Sequence, residues 1–261
     1  MPGKFKTEAV VLRSIRYGEA DRVLHLYSST RGRIGAIAKG SRRPRSRFGG
    51  RLEPFFRLDL VLHEGRGELA TVTAASTLDG YPRLRESGPA LDAAGRGCDA
   101  VLRLFDAAEA NPAAYNVLCR YLAMLDGRES VEPAADPAAP GREAGDAAGN
   151  GVGAAGLGTA LAFRLKLALA AGFVPELASC VRCGEADGLV GFSGAAGGVV
   201  CGACEGGAFE LSGEAHRFMV EALGAPLAAV PPAGKGALRQ VERAITETLE
   251  HHAHVRLRAA A

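Results

Sequence analysis

Phe56-Arg57-Leu58-Asp59-Leu60-Val61-Leu62 alternates apolar and polar residues with a period of two, broken only at Val61. Successive side chains of a strand point to opposite faces, so this is a strand with one face buried. Beyond it the tight turn Glu64-Gly65-Arg66-Gly67 leads into a second apolar, β-branched run over 69–75. Before it lie three more such runs, over 9–15, 23–27 and 33–38. They are separated by Tyr17-Gly18-Glu19-Ala20-Asp21 and by Arg31-Gly32, both turn-prone. Five short, closely spaced strands suit a closed barrel better than an open sheet, because closure removes exposed edges. The expectation is an OB-type β-barrel over residues 1–80.

Between the third and fourth strands stands Lys39-Gly40-Ser41-Arg42-Arg43-Pro44-Arg45-Ser46-Arg47-Phe48, with five cations and no acid. Gly40 and Pro44 keep it out of a helix or a central strand, so fixed positive charge sits on an exposed loop. A solvated charge run is the bland reading of such a loop, and nucleic-acid phosphate is the functional one. The balance of charge favours the second. Residues 1–85 carry 17 Lys/Arg against 8 Asp/Glu, within a chain whose formal net charge is only +2. A basic front and an acidic back suggest two domains with different tasks.

From Tyr81-Pro82 onward the pattern is helical. Helices are expected over 91–108, from the Asn111-Pro112 start to about Leu125, over 157–171 and after the Ser212 cap, with a last one carrying Leu238, Val241, Ile245 and Leu249. Arg164 and Lys166 fall on or near the face opposite Leu161, Leu165 and Leu169. Residues 128–156 are rich in Glu, Pro, Ala, Asp and Gly, with almost nothing bulky to bury, and read as a flexible insertion. The expected architecture is therefore α+β and multidomain. A barrel is followed by an α-helical domain over 81–261, with a four-cysteine module over 177–208.

That module contains Cys180-Val181-Arg182-Cys183 and Cys201-Gly202-Ala203-Cys204. Two C-x-x-C turns at this separation can set four thiolates at the corners of a tetrahedron, the arrangement zinc takes in ribbons and knuckles. Four sulfurs close the coordination shell, so one structural Zn2+ is expected, compensating for a Gly-rich segment with little apolar core. Cys98 and Cys119 fall within helical patterns and read as buried core.

Catalytic signatures are absent. There is no G-x-S-x-G and no Walker loop. Gly151, Gly153 and Gly156 fit G-x-G-x-x-G only formally, with no strand before them, and no His-x-Glu precedes the cysteines as a zinc deaminase requires. His251, His252 and His254 sit on a polar helix end, where the macrodipole accounts for them. The longest apolar run, 167–171, is too short for a bilayer, and the N-terminus lacks a signal-peptide core. A non-enzymatic, cytoplasmic binding or assembly protein is the expectation.

Several stretches together carry a family resemblance. Tyr17-Gly18-Glu19-Ala20-Asp21-Arg22-Val23, Gly35-Ala36-Ile37-Ala38-Lys39-Gly40-Ser41-Arg42-Arg43, Arg45-Ser46-Arg47 and Leu52-Glu53-Pro54-Phe55 resemble the N-terminal domain of the RecO family of bacterial recombination mediators. The helix from Phe163 into Gly172-Phe173-Val174-Pro175, ahead of the first cysteine pair, looks like the helix and zinc module of the same family. The resemblance implies binding of single- and double-stranded DNA and annealing of complementary strands. It also implies cooperation with RecR in loading RecA onto DNA coated by single-stranded-DNA-binding protein (SSB), in the nucleoid. Carried onto this chain, it makes Lys39, Arg42, Arg43, Arg45 and Arg47 the DNA-facing residues, supported by Arg31 and Arg33. It makes Cys180, Cys183, Cys201 and Cys204 the zinc ligands. Base-stacking platforms are few: Tyr17, Tyr27, Phe48 and Phe55 are the candidates, so phosphate contacts should dominate. An RNA-binding OB and zinc-ribbon protein, or a protein-interaction module, are the competing readings.

Overall fold

The computed structural model describes residues 3–65, 67–106, 108–128 and 154–260. The expected insertion falls mostly on 129–153, outside the described residues. Its first residue, Arg128, is described and ion-paired, and helix already begins at Ala154, so the unpatterned stretch is shorter than its composition suggests.

The first part is a closed barrel of β1 (Lys4–Tyr17), β2 (Asp21–Ser28), β3 (Gly32–Ala38), β4 (Arg57–His63) and β5 (Ala70–Asp79). Strand order is β1-β2-β3-β5-β4, with β4 pairing back onto β1. All neighbours are antiparallel except β3 and β5, which meet in parallel through Ala36–Ala70 and Ile37–Thr71 alone. This is the five-stranded OB-type barrel. The period-two residues Leu58, Leu60 and Leu62 are completely buried and meet Ala9, Val11, Leu24 and Leu26 inside it. Val10, Leu12 and Tyr27 lie outside that core and join the second, helical one. The β1–β2 register shifts between Val11 and Arg13, making Leu12 the extra residue of a bulge. One strand thereby supplies apolar residues to two cores.

The second part holds α1 (Gly88–Leu104), α2 (Pro112–Leu125), α3 (Ala154–Ala170), α4 (Gly213–Gly224) and α5 (Lys235–Thr248). Helix starts follow local chemistry. Asn111 Oδ1 accepts from the Ala114 N–H (2.9 Å) and Ser212 Oγ from the Ala215 N–H (3.2 Å). The first helix starts earlier than its apolar pattern, at Ser87 and a proline in the first turn, and stops at Leu104 rather than 108. Helix α3 is central. Leu161, Phe163, Leu165 and Leu167 are all buried, and Phe163 stacks on Tyr121 with ring centroids 4.1 Å apart. A Cβ at Gly97 of α1 would stand 2.9 Å from the Tyr121 ring, so the absence of a side chain there lets the helices close up.

That central position gives the two cations of α3 partners within the protein. Arg164 is 5% exposed and faces Glu242. Lys166 Nζ donates to the Leu223 carbonyl (2.9 Å). Most of α3 is covered, Leu169 near its end being the large side chain left open at 48% exposed, and a cation on a covered side must find its partner in a neighbouring helix.

Between α3 and α4 a small sheet of β6 (Leu189–Ser193), β7 (Gly198–Cys201) and β8 (Phe209–Glu210) carries the cysteine pairs. Among the described residues no helix is long and apolar enough to cross a membrane.

Candidate nucleic-acid interface and metal centre

The basic run forms a loop of successive tight turns. The N–H groups of Arg43, Ser46, Gly49 and Arg51 each donate to the carbonyl three residues back. Its start is tied to the β1–β2 turn. Gly40, at φ +66°, donates to Asp21 Oδ1 (2.7 Å), and the Arg42 N–H donates to the Ala20 carbonyl (2.8 Å). Its middle is pinned by Phe48 and Leu52, which are 1% and 2% exposed and fill the barrel core. Lys39, Arg42, Arg43, Arg45 and Arg47 all stand exposed. Among the described residues none of the five has a carboxylate within ion-pair distance. Arg51, which pattern reading missed, is exposed on the same loop and donates to the Arg47 and Phe48 carbonyls.

Arg31 and Arg33 are not part of that cluster. They sit at the opposite end of β3, roughly 20 Å from Lys39 at ~3.3 Å per residue. Arg31 is neutralised by Glu64 (2.7 Å) and its guanidinium lies 3.9 Å from the centre of the Phe5 ring. Arg33 is half-buried on the outer face of β3, opposite Tyr27 of β2. Next to that pair stands His25, whose pKa is lowered from the usual 6.5 by burial first and then by the charges of Arg33 and Arg13. Of the four aromatic candidates only Tyr17 is free, at 58% exposed. Tyr27 and Phe48 are core, and Phe55 packs against the helical core with φ +76°. An apolar ring in a loop is more useful to the barrel as an anchor than as an open platform.

The four cysteines converge. The sulfurs of Cys180, Cys183, Cys201 and Cys204 lie within 4.8 Å of one another, and those of Cys183 and Cys201 are 3.7 Å apart. A tetrahedron with metal–sulfur bonds of ~2.3 Å has edges of about 3.8 Å, so the cage fits a tetrahedral thiolate-binding ion. Its frame is backbone. Gly184, at φ +80°, donates to the Cys180 carbonyl (2.8 Å), while Cys180 N–H donates to the Glu185 carbonyl (2.7 Å). Gly202, by contrast, needs no positive φ. Arg182 Nη1 caps the carbonyls of Cys204 (2.6 Å) and Gly206 (2.8 Å). Crowding splits the thiols. Cys180 is pulled down to about 6, chiefly by a hydrogen bond from the Cys201 backbone N–H. Cys204 is pushed up to about 12 by proton sharing with the sulfurs of Cys183 and Cys201. Four thiolates cannot ionise together without a cation among them. Cys98 and Cys119 play no part; burial pushes both thiols up, Cys119 to about 11.

These parts define a class, an OB-barrel protein whose helical body carries a four-cysteine module able to hold a metal ion. Comparison with known proteins narrows it. The family models described as "Recombination protein O N terminal" and "Recombination protein O C terminal" match residues 1–81 and 154–260. The chain is 33% identical to "DNA repair protein RecO" of Anaeromyxobacter dehalogenans over 264 residues, covering 98% of this chain and 94% of the relative. It is 34% identical to the protein of that name from Rubrobacter xylanophilus, over 95% of this chain and 90% of the relative. The chain belongs to the RecO family.

Proposed function

We propose that this protein is a DNA-binding recombination mediator that grips the sugar-phosphate backbone of single and double strands through the 39–51 loop and promotes annealing of complementary strands. The observation that carries the reading is a loop of five exposed cations without carboxylate partners, held rigid by two barrel-core side chains. Screening phosphate repulsion while leaving base edges free is what strand pairing requires. Kinship with proteins named for DNA repair supports a role in repair, and the proposal includes work with RecR in loading RecA onto SSB-coated DNA in the nucleoid. The barrel unit that carries this loop is residues 1–80. Residues 81–261 form the helical unit, and the module at 177–208 holds one Zn2+ through Cys180, Cys183, Cys201 and Cys204 as scaffolding, with no position open for chemistry. No step of this function needs a catalytic residue.

The test compares the parent with a variant carrying Arg42→Gln, Arg43→Gln, Arg45→Gln and Arg47→Gln. ATP-free strand annealing at low salt should slow by at least tenfold, and the salt slope of single-strand binding should flatten by about 0.7 per lost phosphate contact. Equal annealing rates would overturn the reading. Preferential binding to RNA of the same sequence would favour the RNA-binding alternative.

A further inference from the structure

A second group of cations gathers where the barrel meets the helices. Asp99 of α1 is 9% exposed, and three guanidiniums converge on it. Arg103 Nε is 2.8 Å from Oδ2, Arg258 Nε is 3.7 Å from the same oxygen, and Arg13 Nη2 is 3.7 Å from Oδ1. Among the described residues Asp99 is the only carboxylate within ion-pair distance of any of the three. Three positive charges around one negative leave a surplus of two. The side chains of Arg13, Arg103 and Arg258 remain 51%, 44% and 68% exposed, so each presents donors outward.

The three come from distant parts of the sequence, and the fold takes care to bring them together. Segment 254–260 is laid along the helices by its own backbone. Its carbonyls at Arg256 and Ala259 accept from Arg103 (3.4 Å) and Arg96 (3.0 Å), and that of Arg258 accepts from the buried Arg164. The Ala260 N–H donates to Glu242. Arg258 is thus fixed over α1 beside Arg13 of the barrel.

We propose that Arg13, Arg103 and Arg258 form a phosphate-binding site for a nucleic-acid strand, separate from the basic loop and reached along the outer face of β1–β3. Planar guanidiniums held apart by a shared carboxylate repel one another, and a bound phosphate relieves that repulsion with forked hydrogen bonds. Continuity favours a nucleic acid over an acidic peptide. Arg13, Ile15 and Tyr17 alternate onto one side of β1, and Tyr17, about 13 Å away at ~3.3 Å per residue, adjoins the turn to which the loop is tied. A strand held by the loop can therefore lay a base on Tyr17 and a later phosphate on the cluster.

This inference rests on the DNA-binding reading above, and the experiment separates the two. Arg13→Gln with Arg258→Gln leaves the Arg103–Asp99 pair, so the buried carboxylate keeps a partner. Affinity for a fluorescent oligothymidylate is measured across a salt series for the parent, this double variant and the loop variant. The double variant should flatten the log–log salt slope by roughly 0.7–1.4, additively with the loop substitutions. An unchanged slope in the double variant, with the loop variant weakened, overturns the junction site alone. No change in either overturns the DNA reading as well. If the double variant melts early, Arg258→Gln alone gives the readout, and an altered melting temperature with unchanged affinity would make the cluster a strut and refute the proposal.

Discussion

Arg128 Nη1 lies 2.6 Å from Asp79 Oδ2, joining the end of α2 to the last residue of β5. Its Nε also approaches Asp126 Oδ2 at 2.6 Å, and Asp126 is 1% exposed, its other oxygen taken by the Leu84 N–H (2.9 Å). One side chain therefore neutralises two carboxylates at the junction of barrel and helices.

Removing it should be costly for a half-exposed residue. Arg128→Ala leaves the buried Asp126 carboxylate without its counter-charge, and about 1–3 kcal/mol of stability should be lost. Urea unfolding followed by far-ultraviolet dichroism measures it. Arg120→Ala, which removes a different cation of α2, serves as the control and should change stability by less than about 0.5 kcal/mol.

Phe48→Ala tests whether the loop depends on its anchor. Truncating a fully buried phenylalanine should cost about 3–5 kcal/mol. Oligonucleotide affinity should fall too, at temperatures where the barrel remains folded, although no charge has changed. A variant that loses stability but binds as tightly as the parent would show that the loop needs no fixed shape.

Metal analysis should return about one zinc per chain, released stoichiometrically by a chelator. The two cysteine turns, 180–188 and 201–207, hold Val181 as their one large apolar side chain, so loss of metal should expose their amides to hydrogen exchange while the barrel stays protected. Cys183→Ser should weaken zinc retention by orders of magnitude and leave oligonucleotide binding nearly intact if the proposed structural role of the site holds.

His25 reports on the outer barrel face. Burial, Arg33 and Arg13 depress its pKa below 6.5, so the folded protein holds this imidazole neutral where the unfolded chain protonates it. The unfolded state then binds more protons between the depressed pKa and 6.5. The contribution of His25 to stability is present above 6.5 and is lost as pH falls through that window. Histidine resonances followed by NMR should show the depressed midpoint, and Arg13→Gln should raise it. Added oligonucleotide should raise it as well, by placing phosphate beside Arg13.

What could be read from sequence followed the range of the forces involved. Leu58, Leu60 and Leu62 announce a buried strand face because strand periodicity is local, and Asn111 and Ser212 announce helix starts because caps act within three residues. The cysteine quartet was legible because two short turns carry the geometry. The surroundings of Arg164 and Lys166 are not legible in the pattern, since a helix's exposure depends on what packs around it: Arg164 is buried and Lys166 is bonded to Leu223, while Leu169 of the apolar pattern is left open. Phe48 looked like a platform for bases, but only the closed barrel shows the core position it occupies. Glu64 neutralises Arg31 from 33 residues away, a pairing that only the closed barrel creates. The Asp99 cluster leaves no trace in sequence at all, because its members are brought together by three separate packing events.

The parallel seam between β3 and β5 has a kinetic consequence. β1 to β3 can pair in sequence order through short turns, yet closure waits for a strand more than thirty residues after β3 and is then secured by two residue pairs. The basic loop lies inside that waiting interval. Phe48 and Leu52 rest on a wall to which β5 contributes Ala70 and Val72, so the spacing of the five cations depends on the late-pairing strand being in place. The fixed spacing of the five cations is thus a property of the closed barrel and not of the loop's own sequence.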